Sequence, residues 1–539
     1  MNDGHVNDGQ VSDGQVSGLL KNNLIVAVGT ALSRVTGLVR VAVFVYVVGQ
    51  TALADVYNSA NQSPNAVYEL LLGGVLSASL VPLFTKHAED RDDRATSAVV
   101  TVSVIALTGL TAAAVLAAPW IFHLYSWNVA EGVDAAEYRS AGTALARIFL
   151  IQIFFYGLSA VINALLQARR RFFAAAWAPV LSNLVIILSL LAVRDILDGR
   201  EPQLVEILTD DRFRWTLGLG TTVGIAVMAL AVVPALRTAD VRLRFVPEFG
   251  HPAVRTLMKL SVWTFGYVAA NQVSLIVVQN LADPGSGQVN AYATAYIFFV
   301  LPHGLLAMSI VTTFTPEMAL SVKRKDKAAF IDRASMGVRL VALLTLPAAA
   351  GMFVLRRPLV GLLTRGNFDP AEALVTSRAL AGFALGLVGF SVYLFVLRAF
   401  YAHGDGRTPF VINLFENLLN VVLAIVLVGR FGVLGLAASF AIAYAVSSIW
   451  ALLVLSYKVP GFGMGAVTDS LWRMVLATVV MAEVMWVVAQ LVGGNDGLGA
   501  LVTVTVAGGI GVGVYLVLLI VLEVPDLAQL RARIGSRFA

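Results

Sequence analysis

The chain contains no cysteine, so neither a disulfide nor a thiolate metal centre can be built from it. Charge is scarce as well. Asp, Glu, Lys and Arg make up 13% of the 539 residues, roughly half of what a soluble domain carries. The histidines, at 5, 87, 123, 251, 303 and 403, include no i,i+4 pair of the kind that holds zinc on a helix. No Gly-x-Ser-x-Gly elbow and no phosphate-binding P-loop occurs. Long polar stretches are missing too. The longest connection between apolar runs is about 20 residues, which leaves no room for a separate domain outside a membrane. These absences argue against an enzyme, and the net charge of +5 needs no nucleic acid to explain it, since loop lysines and arginines suffice.

What is present is apolar sequence. Hydrophobic residues are 58% of the chain and the mean hydropathy is +0.81. Fourteen apolar segments reach spanning length, from 19–48 and 53–84 to 467–493 and 498–522. Backbone groups in lipid must be satisfied within a segment or a closed barrel, so the segments read as helices. The expected fold is therefore an all-α polytopic membrane protein with 14 transmembrane helices, bent at Gly37, Pro64, Pro82 or Pro302. Basic clusters such as Arg169-Arg170-Arg171 and Lys323-Arg324-Lys325 fall on one side of the alternating segments, which predicts both termini in the cytoplasm. Pro179 with Asn183 matches Pro409 with Asn413, 230 residues later. Six spans separate the two pairs, so this duplication predicts a parallel repeat: six-helix bundles over 19–240 and 241–458 around a central cavity. Residues 459–523 add two further helices. The five-residue repeat within 1–16 lacks the spacing of a calcium loop, so 1–18 reads as a disordered cytoplasmic tail without a cleavable signal. Residues 524–539 read as a cytoplasmic amphipathic tail.

Two arginines, Arg34 and Arg40, interrupt the first apolar segment. With entry near Leu24 and about 1.5 Å of rise per residue, they sit roughly 15 Å and 24 Å deep. Charge at that depth faces a cavity, a partner or a substrate. Guanidinium suits phosphate oxygens, so an anionic guest held within the bilayer is one reading. Permanent ion pairs with Asp55 and Glu69 are the other. Six positions separate the arginines, about 240° around an ideal helix, with Gly37 midway.

The stretch Ser33-Arg34-Val35-Thr36-Gly37-Leu38-Val39-Arg40, then Asp55, Pro64-Asn65, Gly73-Gly74, Ser77 and Val81-Pro82 resembles the MurJ/MviN family, within the MOP exporter superfamily. The resemblance extends through all 14 segments, and Tyr68-Glu69-Leu70-Leu71-Leu72-Gly73-Gly74 looks like the actinobacterial branch. It implies a flippase, not an enzyme, that moves the peptidoglycan precursor lipid II from inner to outer leaflet of a bacterial cytoplasmic membrane. Alternating access would be driven by the membrane potential or a monovalent cation, Na+ or H+, with no other cofactor. Membrane lipids and cell-wall synthesis or division proteins are the further expected partners. The arginine pattern and the resemblance together give Arg34, Arg40, Ser33, Asp55, Asn65 and Glu69 as substrate-binding, with hinges at Gly37, Pro64 and Gly74. Where other members carry Arg and Glu in the eighth segment, this chain has Ile297 and Val300, which shifts anion recognition towards Arg34 and Arg40.

The eleventh segment carries Asn413, Glu416, Asn417 and Asn420. Asn413 and Asn417 lie one turn apart and offer either interhelical hydrogen bonds or oxygens for a coupling cation. Asn271, Gln272 and Gln279 are similar. Arg147, Glu317, Arg339, Arg378 and Glu483 are expected near interfaces or in pairs, and Gly509-x-x-x-Gly513 as a close-packing motif. Alternative functions are an exporter of another undecaprenyl-linked oligosaccharide, a cation antiporter, a membrane glycosyltransferase and a non-transporting scaffold for cell-wall synthesis.

Overall fold

The computed structural model describes residues 13–526 apart from 73, 74, 91, 170, 240 and 242. Side chains are described except at 13–24, 27, 67–72, 75–79, 82, 253, 255–265, 464 and 466. Gly74, the Glu69 side chain, most of the 1–18 tail and the end of the 524–539 tail therefore lie outside the described residues.

Every regular element among the described residues is helical. The first half comprises α1 (Asp13–Val48), α2 (Ala52–Leu72), α3 (Val75–Glu89), α4 (Asp93–Leu116), α5 (Ala118–Leu124), α6 (Ala135–Phe149), α7 (Gln152–Ala168), α8 (Phe173–Ile196), α9 (Glu206–Thr209), α10 (Asp211–Ala231) and α11 (Pro234–Thr238). The second comprises α12 (Pro252–Leu281), α13 (Gln288–Pro302), a π-helical turn (His303–Ala307), α14 (Met308–Lys323), α15 (Lys327–Val354), α16 (Arg356–Gly361), α17 (Pro370–Ala402), α18 (Arg407–Phe431), α19 (Val433–Lys458), α20 (Met464–Val492) and α21 (Gly497–Val521). Twelve stretches among the described residues are long and apolar enough to cross a membrane. The expected spans 53–84 and 253–282 are helical but are not among the twelve. The first is divided into α2 and α3 and carries Asp55, Asn58, Asn61 and Asn65.

Aspartates begin many of these helices. Asp92, Asp134, Asp210 and Asp326 each accept a hydrogen bond from a first-turn N–H, and Asp369 forms a reciprocal capping box with Glu372. Lipid supplies no hydrophobic drive between helices, so close approach depends on small residues. A Cβ on Gly382 would stand 2.7 Å from that of Ala437, and one on Gly386 2.7 Å from the Ala441 Cα. These contacts lock α17 against α19. Gly509 and Gly513 do not play this part, because a Cβ on either would meet nothing within 4 Å. In α21 the packed glycine is Gly511, whose Cβ would lie 2.3 Å from Met485 Cγ.

Packing partners recur between the halves: α1 lies on α8, and α12 on α18. The end where α1 begins is termed the near end, and the end it reaches at Val48 the far end. α1 and α2 run unbroken through Gly37 and Pro64.

Candidate functional site

α1 is the helix from which the site is built. It carries Arg34 and Arg40 into one cavity of about 420 Å³, walled by Pro179 and Asn183 of α8 and by Tyr296, Ile297 and Val300 of α13. The cavity reaches around α1, and the arginines 240° apart therefore both line it without a kink at Gly37. Arg34 is exposed and Arg40 half-buried. Among the described residues neither guanidinium has a carboxylate partner. Ser33 also lines the cavity, and its carbonyl accepts the Asn183 amide at 3.1 Å while Thr36 Oγ1 accepts it at 3.0 Å. Arg40 continues into a smaller chamber of about 70 Å³ with Asn58, Asn61 and Asn290.

Two contributors escaped sequence reasoning. Asn183 was noted only as a repeat marker, yet it ties α8 to α1 inside the cavity. Gly304 lies in the π-helical turn, and a Cβ there would stand 3.2 Å from the Arg34 guanidinium carbon. π-turns inside α-helices are common at functional sites. The signal available in sequence was Pro302-His303-Gly304 within an otherwise apolar run. Ile297 and Val300 do line the cavity, so its α13 wall is apolar where a charged pair was missing.

The structure sets Asp55 apart from this cavity. It is fully buried, and its Oδ2 accepts the backbone N–H groups of Gly285 (2.9 Å) and Gly287 (2.8 Å) while Oδ1 accepts that of Asn290 (2.8 Å). The carboxylate caps the start of α13, where unpaired N–H groups and the helix dipole favour a negative charge. It neither lines the arginine cavity nor pairs with its arginines. Asn65 also lies outside the cavity, and its amide donates to the Asn61 carbonyl at 3.3 Å.

Asp55 belongs to a seal between the halves at the far end. Asn58 donates to Asn290 Oδ1 at 2.8 Å, Gln50 N–H to Glu372 at 2.9 Å, Asn367 to the Val47 carbonyl at 2.7 Å, and Trp127 N–H to Asn280 at 2.9 Å. Gly287 has φ +83°, and a Cβ there would fall 2.1 Å from the Gln50 carbonyl oxygen, so only glycine closes this seam.

In the second half, the amides of Asn413 and Asn417 both donate to Asn271 Oδ1, at 3.2 Å and 2.9 Å, and Asn417 also donates to the Asn413 carbonyl at 2.9 Å. A second cluster lies further along the same helices, where Asn420 donates to Ser274 Oγ at 3.4 Å and accepts from Ser439 at 3.0 Å. Among the described residues Glu416 Oε2 is buried with no hydrogen-bond partner, and the Tyr393 hydroxyl stands beside the Asn413 side chain. No cluster of three or more His, Asp or Glu exists among the described residues. Of the remaining intramembrane charges, Arg339 pairs with Asp526 at 2.7 Å and Glu317 with Arg333 at 2.8 Å.

The family model described as lipid II flippase MurJ matches residues 44–506. That match begins after Arg34 and Arg40, so the cavity arginines rest on their own geometry. A probable lipid II flippase MurJ of Rhizobium meliloti (strain 1021) is 28% identical over 475 residues, 87% of this chain and 86% of that protein. A lipid II flippase MurJ of Burkholderia cenocepacia is 28% identical over 439 residues, covering 79% and 81%. The fold matches a solved lipid II flippase MurJ in an inward closed conformation with TM-score 0.73, at 21% identity, over 92% of this chain and 98% of that one. It also matches an inward-facing MATE family multidrug transporter of the MOP superfamily with TM-score 0.64, at 15% identity, over 79% and 95%. A match that runs from within α1 to within α21, across most of the chain, places this protein in the MurJ family.

Proposed function

We propose that this chain carries lipid II from the inner to the outer leaflet of the bacterial cytoplasmic membrane by alternating access. One observation carries the reading: two guanidiniums with no carboxylate partner among the described residues share a cavity within the membrane-spanning body. On lenient scales a central arginine costs about 2.5–3.5 kcal/mol, and a wet cavity with an anionic guest offsets that. A diphosphate offers two adjacent acceptor groups, and two arginine forks match them in charge-assisted pairs. The family is one of flippases, not enzymes, and a scaffold would have no use for uncompensated charge at this depth.

In this reading the chain crosses the membrane 14 times, with α2–α3 and α12 as the added spans. Two six-helix bundles face each other, α20 and α21 stand apart, and both termini are cytoplasmic. The far end then faces outwards. Its seal, with the arginine cavity on the near side, is the arrangement of a carrier that loads from the cytoplasm. Release requires the Asp55 clasp to open, with flexing in α1 and α2 around Gly37, Pro64 and Gly74. Coupling comes from the membrane potential, about 2.3 kcal/mol per charge per 100 mV. A monovalent cation near Asn413 and Asn417 contributes as well, and the buried Glu416 Oε2, without a hydrogen-bond partner among the described residues, supports this part. Proteins of cell-wall synthesis or division are the expected associates.

The deciding experiment measures leaflet accessibility of lipid II in cells that depend on this chain. Depletion should trap lipid II inside, and Arg34→Ala should fail to release it at normal membrane levels. Full outward accessibility with both arginines replaced by alanine would overturn the reading. Reporters after Arg171 and after Asp283 should fall on opposite sides of the membrane, and finding them on one side would overturn the span count.

A further inference from the structure

A second basic cavity lies on the flank of the first half. It encloses about 620 Å³ between α5 and α6 at the far-end side, and none of its lining residues comes from the second half. Trp120 and His123 of α5 face Arg139, Thr143 and Arg147 of α6, with Leu208 of α9 at its rim. Arg139, Thr143 and Arg147 are spaced i, i+4, i+8 and so form one stripe. α5 is pinned in place by close packing, since a Cβ on Gly142 would fall 1.9 Å from Phe122 Cζ. The cleft is thus part of the fold and not a gap between loose helices.

Its charge is not cancelled. Arg139 donates to the Ser126 carbonyl at 3.0 and 2.9 Å, and a carbonyl neutralises nothing. Arg147 is exposed and has neither an ion pair nor a hydrogen bond among the described residues. Glu137, two positions before Arg139 on α6, stands about 200° around the helix from it, and other acids in the neighbourhood are engaged. Asp134 caps α6, Asp210 caps α10, Glu206 pairs with Arg200, and Asp211 with Arg214. Arg147 stands about 18 Å along α6 from Ala135 at about 1.5 Å per residue, within a span. An arginine on a lipid-facing flank at such depth draws polar headgroups inward. Trp120, 75% exposed, is the type of residue that sits at the headgroup level.

We infer that this cleft binds the phosphodiester headgroup of an anionic glycerophospholipid from the far-end leaflet. Arg147 meets the phosphate, the Ser140 and Thr143 hydroxyls are available to the glycerol, and Trp120 with Leu208 takes the start of the acyl chains. The site is separate from the arginine cavity of α1 and does not depend on what that cavity transports.

Native mass spectrometry of the full chain in detergent tests this, with dioleoyl-phosphatidylglycerol and dioleoyl-phosphatidylcholine as probes. The wild type should hold phosphatidylglycerol about tenfold more tightly, about 1.4 kcal/mol. Arg147→Gln should erase that preference, and Arg212→Gln, an exposed arginine outside the cleft, should keep it. Ser140→Trp fills the cleft with both guanidiniums intact and should also erase it, which separates loss of the site from loss of folding. The proposal is overturned if Arg147→Gln or Ser140→Trp retains the preference, if the wild type does not discriminate, or if millimolar inorganic phosphate displaces the lipid, which would mark a free-anion site.

Discussion

The two halves of the chain place an asparagine-bearing helix against a partner in the same way, and the polar balance they leave behind is opposite. In the first half, Asn183 of α8 donates to Ser33 and Thr36 of α1, and what remains unanswered is cationic: Arg34 and Arg40. In the second, Asn413 and Asn417 of α18 donate to Asn271 of α12, and what remains unanswered among the described residues is acceptor oxygen, Glu416 Oε2. One packing scheme thus leaves cationic charge in one half and acceptor oxygen in the other. The difference resides in side chains and not in topology.

The strongest way to break that comparison is to remove the cationic surplus. Arg34→Ala and Arg40→Ala should each abolish complementation of a strain depleted of its lipid II flippase, with membrane levels near normal. Asn413→Ala should reduce growth without abolishing it. Equal severity in both halves would erase the distinction. Reversing the sign locally is the next test. Asn183→Asp places a carboxylate beside Ser33 inside the arginine cavity and should lower lipid II export by about tenfold or more, the loss expected when about 1.4 kcal/mol of anion affinity is removed. Asn413→Asp, the equivalent change 230 residues later, should be tolerated. It should also increase sodium-dependent thermal stabilisation of the purified chain.

A smaller effect belongs to the wild-type second half. If its oxygens hold sodium, replacing potassium chloride by sodium chloride should raise the melting temperature. At sodium about ten times its Kd the gain is about 1.4 kcal/mol, a shift of a few degrees. Asn271→Ala should remove the shift. A wild type that melts identically in both salts would leave the asparagines as interhelical hydrogen bonds alone, worth about 0.6 kcal/mol each.

Apolar runs and basic loops made most of the fold legible in sequence. The periodic need to satisfy backbone groups in lipid leaves helices as the economical answer. The arginine pair was legible for the same reason, because charge at that depth stands out against its neighbours. The partners of Asp55 were not legible, because sequence shows a carboxylate near two arginines and cannot show three backbone N–H groups arriving from residues 285–290. Gly304 was missed because Pro302-His303-Gly304 marks an interruption in an apolar run and does not show that the Arg34 guanidinium stands against it. Gly509 and Gly513 carried a packing motif, yet α21 presents Gly511 to its neighbour instead. Spacing identifies a face, and only tertiary structure says which face is used.

The near-end turns offer the mildest contrast between the halves. In the first, Arg94 meets Glu248 with its side chain 73% exposed, so water screens the pair and its loss should hardly register. In the second, Asp405, in the turn between α17 and α18, accepts from Lys458 at 2.7 Å, from Thr408 Oγ1 at 2.7 Å and from the Thr408 N–H at 3.0 Å. Partial burial pushes the Asp405 carboxyl up, but the Lys458 ammonium and the two Thr408 donors outweigh it and hold the group at about 2. A folded value below the unfolded one gives stability that is present above about pH 4 and lost as pH falls towards 2. With solvent screening the contribution is about 1 kcal/mol. Asp405→Asn should therefore lower the melting temperature slightly at pH 6, and wild type and variant should converge near pH 2 to 3. Arg94→Gln should show no such pH-dependent difference. A constant gap between wild type and Asp405→Asn across that range would mean that Asp405 acts through turn geometry and not through its charge.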